Sequence, residues 1–458
     1  MSQKNSASPD PARDAEFNRA FKMLQGLADW KELDRLHPVR GNAVYSTSVV
    51  LWMLVFQRMN PDSTLEAAVK MFLETPPSFA PENRRIDEKT LSPNTGAYSR
   101  ARTRAGLEAA YWLHDQVAQS LVEATEPSFD GRRAYLLDGT TITLAPELEL
   151  QKKFPPASNQ RGESVFPTAL LVVAHELASG AALRPAIGAM YGENAVSETA
   201  LFGETLRRMP EDAVVVADAG FGIFWVAWEA RQASRDFLLR MTAQRFMALR
   251  RKATVVERGV DFTTYSHEWI PSKKDRRSHP HLPADAALEV RLHEVRIHET
   301  LTLCLVSSMS HSAKRLSDLY KCRVNVEVDI RNVKVVLKTE EIAARSEEMF
   351  LKELLMSMVA YNLVTQFRRQ AAKMADVPPR RLSFKRTWTT FKTFLWSYIY
   401  TDAADCRTQY RNALNCAMKD KLPNRPGRSF EREAYHKRHK ATSFKKRKRK
   451  SAATEPLS

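Results

Sequence analysis

The stretch AYLLDGTTITL, Ala134 to Leu144, marks the point where the texture of the chain changes. It is followed by two more β-rich runs, VFPTALLVVAHEL (Val165 to Leu177) and ALRPAIGAM (Ala182 to Met190). Short runs of β-branched and aliphatic residues between turn-forming clusters are strand signals, and three in series predict an antiparallel meander. A helix-like stretch, SETALFGETLRRM (Ser197 to Met209), then leads to the apolar strand AVVVADAG (Ala213 to Gly220). A helix FWVAWEARQAS and another strand DFLLRMT come next. Three strands followed by alternating helix and strand predict a mixed α/β core.

Outward from that core the texture differs on each side. From Phe17 to about Ala124 the apolar residues recur at helical spacing, as in VVLWMLVF and LEAAYWLHDQVAQSLV, which predicts a helical N-terminal domain over residues 16–130. Residues 1–15 are polar and proline-containing and read as a disordered leader. The core is expected over 131–345, interrupted at about 243–310 by a β insertion (TVVERGVDFTTYSHEW, ALEVRLHEVRIH, LTLCLVSS). A helical C-terminal region follows over 346–425, and residues 426–458 end in HKRHKATSFKKRKRK, whose like-charge density prevents packing and predicts a disordered basic tail.

Composition narrows the function classes. With 43% hydrophobic and 27% charged residues in 458, the chain reads as an ordinary multidomain globular protein, which excludes fibrous and wholly disordered classes. Lys plus Arg number 70 against 53 Asp plus Glu, and the resulting net charge of +17 favours a polyanionic partner, nucleic acid or an anionic membrane surface. No apolar run is long enough to span a bilayer and the polar start lacks a secretory core, so a cytoplasmic protein is expected. Cys304, Cys322, Cys406 and Cys416 lack the paired spacing of a zinc site and read as packing residues.

The segment YKCRVNVEVDIRNVK (Tyr320 to Lys334) carries the chemistry. Tyr320, Arg323, Glu327 and Lys334 are separated at helical offsets, and at about 100° per residue they fall within a sector of about 60°. Leu319, Val326, Ile330, Val333 and Leu337 form an apolar stripe beside them, which would hold the helix against the sheet with an acid beside two cations. The bland alternative is a solvated face on which Glu327 merely pairs with Arg323 one turn away. Two further acids end apolar strands: Asp138 in LLDGTT and Asp218 in VVVADAGF. A carboxylate at the exit of a buried strand is costly unless it binds something, although such acids also cap helices and fix turns.

The order Tyr, two residues, Arg, three residues, Glu, six residues, Lys resembles the signature of the transposases of the insertion sequence four family. Asp138, Asp218 and Glu327, spaced 80 and 109 residues apart, resemble their triad of two aspartates and a glutamate. The resemblance covers about Tyr135 to Lys338 well and the N-terminal domain loosely. It implies a ribonuclease H-like core and a cut-and-paste transposase that cleaves DNA at transposon ends and joins strands to target DNA. It also implies Mg²⁺, with Mn²⁺ able to substitute, held by Asp138, Asp218 and Glu327. In that scheme two ions about 4 Å apart activate the attacking water or 3′-hydroxyl and stabilise the departing oxyanion. Tyr320, Arg323 and Lys334 would contact backbone phosphate. The partner would be double-stranded DNA, bound by a homodimer in the synaptic complex, with the protein nucleoid-associated when DNA-bound and no small-molecule substrate.

Other positions follow more loosely. Arg240 in DFLLRMT matches an arginine that relatives often carry after the strand following the second acid, and is a candidate DNA contact. Arg100, Arg102 and Arg104 stand at a turn-to-helix junction of the N-terminal domain, able to present guanidinium groups to phosphate. Trp269, in YSHEWIPS, is placed where hairpin-forming relatives carry a base-stacking aromatic residue. Ala219 departs from the pattern, since relatives commonly have arginine after the second acid. The rival readings are a ribonuclease H-like nuclease that does not join strands and a DNA-binding regulator with a decayed site.

Overall fold

Strand β1 (Ala134–Thr143) is an interior strand of the sheet, and both of its faces are covered. In a computed structural model of the chain, Tyr135 and Leu137 enter one apolar core, while Ala134 and Leu136 enter another on the opposite side. A strand buried on both faces reads as a near-continuous apolar run, which is why AYLL carries no alternation. The structure describes residues 29–423 except 42, 61–63, 75, 160–161, 300, 337–341 and 400–402. The leader, Leu337 and the basic tail lie outside the described residues.

The other strands are β2 (Pro156–Asn159), β3 (Gly162–Glu176), β4 (Ala186–Ala189), β5 (Val214–Ala217), β6 (Asp236–Arg240), β7 (Thr254–Arg258), β8 (Phe262–Trp269), β9 (Leu288–His298) and β10 (Leu301–Ser307). They form one ten-stranded sheet in the order β2-β3-β1-β5-β6-β10-β9-β8-β7, with β4 paired to β3. β1, β3 and β4 make the expected antiparallel meander, and β1, β5 and β6 run parallel. This is a ribonuclease H-like core within a mixed α/β sheet flanked by helices. The β insertion continues the same sheet, because β10 pairs antiparallel with β6 through Leu305 and Arg240.

The helices show a connection that local patterns do not. Thr47–Met59 is apolar nearly all round, capped by the Ser46 side chain, and buried almost throughout, as a helix without a polar face must be. It packs with Leu107–Glu123 and the long helix Glu347–Met374 in one core that also takes Ile142, Leu171 and Val173 from the sheet. The N-terminal and C-terminal helical regions therefore share a single core over one face of the sheet. Polar ties reinforce it: Arg58 Nε donates to Ser357 Oγ at 2.9 Å and Arg102 Nη2 to Glu353 Oε1 at 2.6 Å. Cys304 and Cys322 are half-buried, Cys416 is exposed, and all three are free thiols. Among the described residues no helix is long and apolar enough to cross a membrane.

Two buried histidines make the fold acid-sensitive. Burial pushes His175 and His293 down to about 4, and His175 sits edge-on to Tyr361. In the unfolded chain both titrate near 6.5, so between about 6.5 and 4 the unfolded state binds more protons. Stability is full above that window and is lost as pH falls through it, by about 1.4 kcal/mol per pH unit for each histidine. Urea unfolding at about pH 7 and pH 5 should show a lower midpoint at the acid end, flattened when both histidines are replaced by leucine. Equal midpoints in the parent would contradict the assignment.

Candidate active site

The site forms where the parallel pairing of β1 and β5 ends. That pairing runs from Ala134 with Val214 to Leu136 with Val216. Asp138 lies two residues beyond it on β1, opposite Val173 of β3, and Asp218 directly follows β5. β1 is also the strand at which the chain order reverses, toward β3 on one side and β5 on the other. Crevices of open α/β sheets form at such a switch point, beyond the carboxyl ends of the strands.

The third acid arrives on a helix that is not continuous. Ala313–Lys321 ends, Cys322 and Arg323 link it to Val324–Arg331, and the chain passes into a π turn over Asn332–Val336. The link is tightened by three-residue bonds, Arg323 N to Tyr320 O at 2.9 Å and Val326 N to Arg323 O at 3.0 Å. A constant pitch of about 100° per residue therefore fails at both places, since such turns are wound more tightly or loosely than an α-helix. Alternating Val324, Val326 and Val328 are poor helix formers, in keeping with the break. Leu319, Val326, Ile330 and Val333 are nevertheless buried, so the apolar stripe docks as its pattern requires.

Arg323 draws the acids together. Its guanidinium reaches Asp138 Oδ1 at 2.9 Å, Glu327 Oε1 at 2.7 Å and Asp218 Oδ2 at 3.9 Å. Asp138 Oδ1 also accepts from Gly139 N at 3.1 Å, and Asp218 Oδ1 from Gly220 N at 2.9 Å. Burial raises the Asp138 carboxyl above its usual range, opposed by Arg323 and assisted by the neighbouring Asp218. Burial works against the charge on Arg323, but Asp138 and Asp218 more than offset it and hold its pKa up. Among the described residues no group of three His, Cys, Asp or Glu is closed tightly enough to grip an ion. The donors are hard carboxylate oxygens of the kind Mg²⁺ prefers, and the Arg323 guanidinium stands among them.

The sequence alone does not mark Glu198. Its carboxyl group lies over Gly139, so near that a β-carbon there would meet Glu198 Oε1 at 1.9 Å. Burial raises the Glu198 carboxyl above its usual range, and Asp138 and Asp218 push it the same way. Nothing local in SETALFGETLRRM signals this position; the usable hint is a glycine next to Asp138, which admits a close approach. Arg245 is a second such residue, its Nη1 donating to Ala219 O at 3.0 Å. A guanidinium thus stands beside the position where the expected arginine is missing.

The remaining sequence candidates separate. Tyr320 is buried with its hydroxyl hydrogen-bonded by Arg240, so these two belong to one group at the edge of the acids. Lys334 is half-buried in the π turn and lines a small hollow with Thr140 and Ile142 of β1. Arg100 and Arg104 are exposed, as a phosphate contact requires. Arg102 departs from the expectation: its guanidinium is turned inward onto Glu353, with both side chains largely buried. Trp269 also departs from it, being 5% exposed and packed edge-on against Phe224 at 5.6 Å. A ring so enclosed has no open face for a base in this conformation.

A family model described as Transposase DDE domain matches residues 130–363, a span containing all three acids and Arg323. Transposase InsG for insertion sequence element IS4, from Escherichia coli (strain K12), is 24% identical over 347 residues, covering 73% of this chain and 75% of its own length. A solved piggyBac transposase synaptic complex with hairpin DNA aligns with 93% of this chain and 90% of its own, at a TM-score of 0.37 and 12% identity. With half of its length matched by that family model, from the start of the central sheet into the long C-terminal helix, the chain belongs to the transposase DDE domain family.

Proposed function

We propose that this protein is a cut-and-paste DNA transposase that cleaves transposon ends and joins them to target DNA in a Mg²⁺-dependent reaction. The observation that carries the reading is the convergence of Asp138, Asp218 and Glu327 on one point, from two adjacent strands and a helix. Those three would hold the ion, with Glu198 bordering the same space. An Mg²⁺ ion held there would supply Lewis-acid polarisation of the phosphoryl oxygen and offset charge on the departing oxyanion.

The chain's own groups do the rest. The three carboxylates come from separate, packed elements, which would limit how far each has to move to meet an ion and DNA. Arg323 balances the three carboxylates, and its guanidinium is of the kind that would bind a phosphate oxygen of DNA brought to them. Tyr320 with Arg240 at the edge of the acids, and Lys334 in the neighbouring hollow, would position the backbone. Double-stranded DNA is the partner, and a homodimer would pair the two ends.

The test is incubation of the protein and Mg²⁺ with a plasmid carrying the inverted repeats that flank the gene. Products in which a 3′-hydroxyl end is joined to a new strand support transposition; cleavage with no joined product supports a nuclease. Removal of divalent cation should abolish both.

Arg323→Ala should show whether the guanidinium occupies the cation's place. Without metal the variant is expected to be less stable by about 1 to 3 kcal/mol, below the range for a fully buried pair because the acids are partly exposed. Mg²⁺ should then raise its melting temperature more than it raises the parent's. Equal Mg²⁺ responses would place the ion elsewhere.

A further inference from the structure

The helix that presents Glu327 has a second acid on its other side. Asp329 is fully buried and accepts from Arg380 Nη2 at 2.6 Å, while Arg368 Nη2 stands 4.0 Å from its other oxygen. Arg368 is 3% exposed and the Arg380 side chain 22%, so a buried and a half-buried guanidinium group share one carboxylate. The Phe384 ring, 5.2 Å from the Arg368 guanidinium carbon, compensates it only in part. A buried charge is costly unless paired, so this arrangement is short of one anion.

The donors are also short of acceptors. Arg368 Nε and Asn332 Nδ2 are buried and make no hydrogen bond among the described residues. Both residues line a cavity of about 250 Å³, together with Arg331, Arg380, Ser383 and Lys385. Arg331 and Lys385 are exposed, so the cavity has a cationic rim and a cationic floor.

We infer that this cavity is a phosphate-group site, separate from the acid cluster and lined in part by Arg331 and Asn332 of the segment that carries Glu327. Guanidinium forks, an amide N–H and a hydroxyl are the donor set that a tetrahedral oxyanion takes. The backbone of bound DNA is the occupant this basic protein offers; free inorganic phosphate would use the same donors. A phosphate held there would be tied through Asp329 and Arg380 to the segment that positions Glu327. The site itself is independent of the proposed reaction, and only its DNA occupant draws on that reading.

The test uses the full chain without divalent cation, comparing the parent with Arg331→Ala/Lys385→Ala, both exposed, and with Asn332→Leu. Asn332→Leu removes an unpaired donor, which favours folding. Melting is followed in sodium phosphate against sodium chloride at equal ionic strength. Binding to a short labelled duplex is followed by anisotropy between about 50 and 200 mM salt. Phosphate should raise the melting temperature of the parent more than that of either variant. The double variant should bind duplex about tenfold more weakly near 0.1 M salt, with a salt slope shallower by about 1 to 2. A lost phosphate response with unchanged DNA binding keeps the site and assigns it to the free anion. Equal phosphate responses in parent and variants overturn the inference, whatever the DNA arm shows. Glu327→Gln should retain both responses, so failure of the catalytic reading and failure of this one remain distinguishable.

Discussion

Glu327→Gln is expected to leave binding to end DNA nearly unchanged while cleavage and strand joining fall by about a thousandfold or more. The amide keeps the shape of the side chain and can still accept from Arg323 Nη1, which lies 2.7 Å away, so the local fold persists. What is lost is one negative charge among three that converge on a single point. If Glu327 did no more than pair with Arg323, the change would cost at most about 1 kcal/mol of stability, because the Glu327 side chain is 45% exposed. Gel-shift binding beside Mg²⁺-dependent cleavage of a labelled end duplex separates the two. Asp138→Asn and Asp218→Asn serve as parallel variants. Parent-level cleavage by a folded Glu327→Gln protein, free of parent enzyme, would remove the third acid from the site.

Trp269→Ala should cost about 3 to 5 kcal/mol of stability, the range for deleting a buried large aromatic side chain. The ring fills the core between the insertion and the helix Phe224–Gln232, contacting Phe224, which itself stacks on Trp228 at 5.9 Å. Its loss should loosen β8 against β9, where Trp269 pairs with Leu288. A lowered melting temperature should therefore accompany similar slowing of every DNA step, with Trp269→Phe recovering much of both. An unchanged melting temperature with only hairpin formation slowed would show instead that the ring works as a base-stacking platform.

The physical line between sequence and tertiary structure runs through Arg323. Its helical offset from Glu327 is visible in the spacing, and the pair does form. Its contacts with Asp138 and Asp218 are not visible, because they depend on how β1 and β5 align and on a helix break at Cys322. A run such as AYLL, or an apolar stripe such as Leu319, Val326, Ile330 and Val333, reports which residues avoid water within its own segment. That was enough for a meander, an alternating half and a helix docked by one face. The π turn at Asn332 was beyond it, since local pitch answers to packing as well as to propensity.

Arg102 shows the same limit from the other side. By itself, a cluster of three arginines at a turn looks like a phosphate-facing surface, and Arg100 and Arg104 are exposed. Which of the three turns inward was decided by Glu353, 251 residues away, once the N-terminal and C-terminal helices met in one core. Glu198 likewise reaches the acids only because β1 is central and Gly139 leaves room above it. The sequence by itself determined the class of core, the order of its elements and the charge that calls for a polyanion, since these follow from composition and short-range periodicity. Only the tertiary structure decided which cation stands between the acids, which further acid joins them, and that the insertion extends the central sheet. Pairing between distant segments is selected by strand register and shared burial, and neither leaves a periodic trace in the residues of one segment.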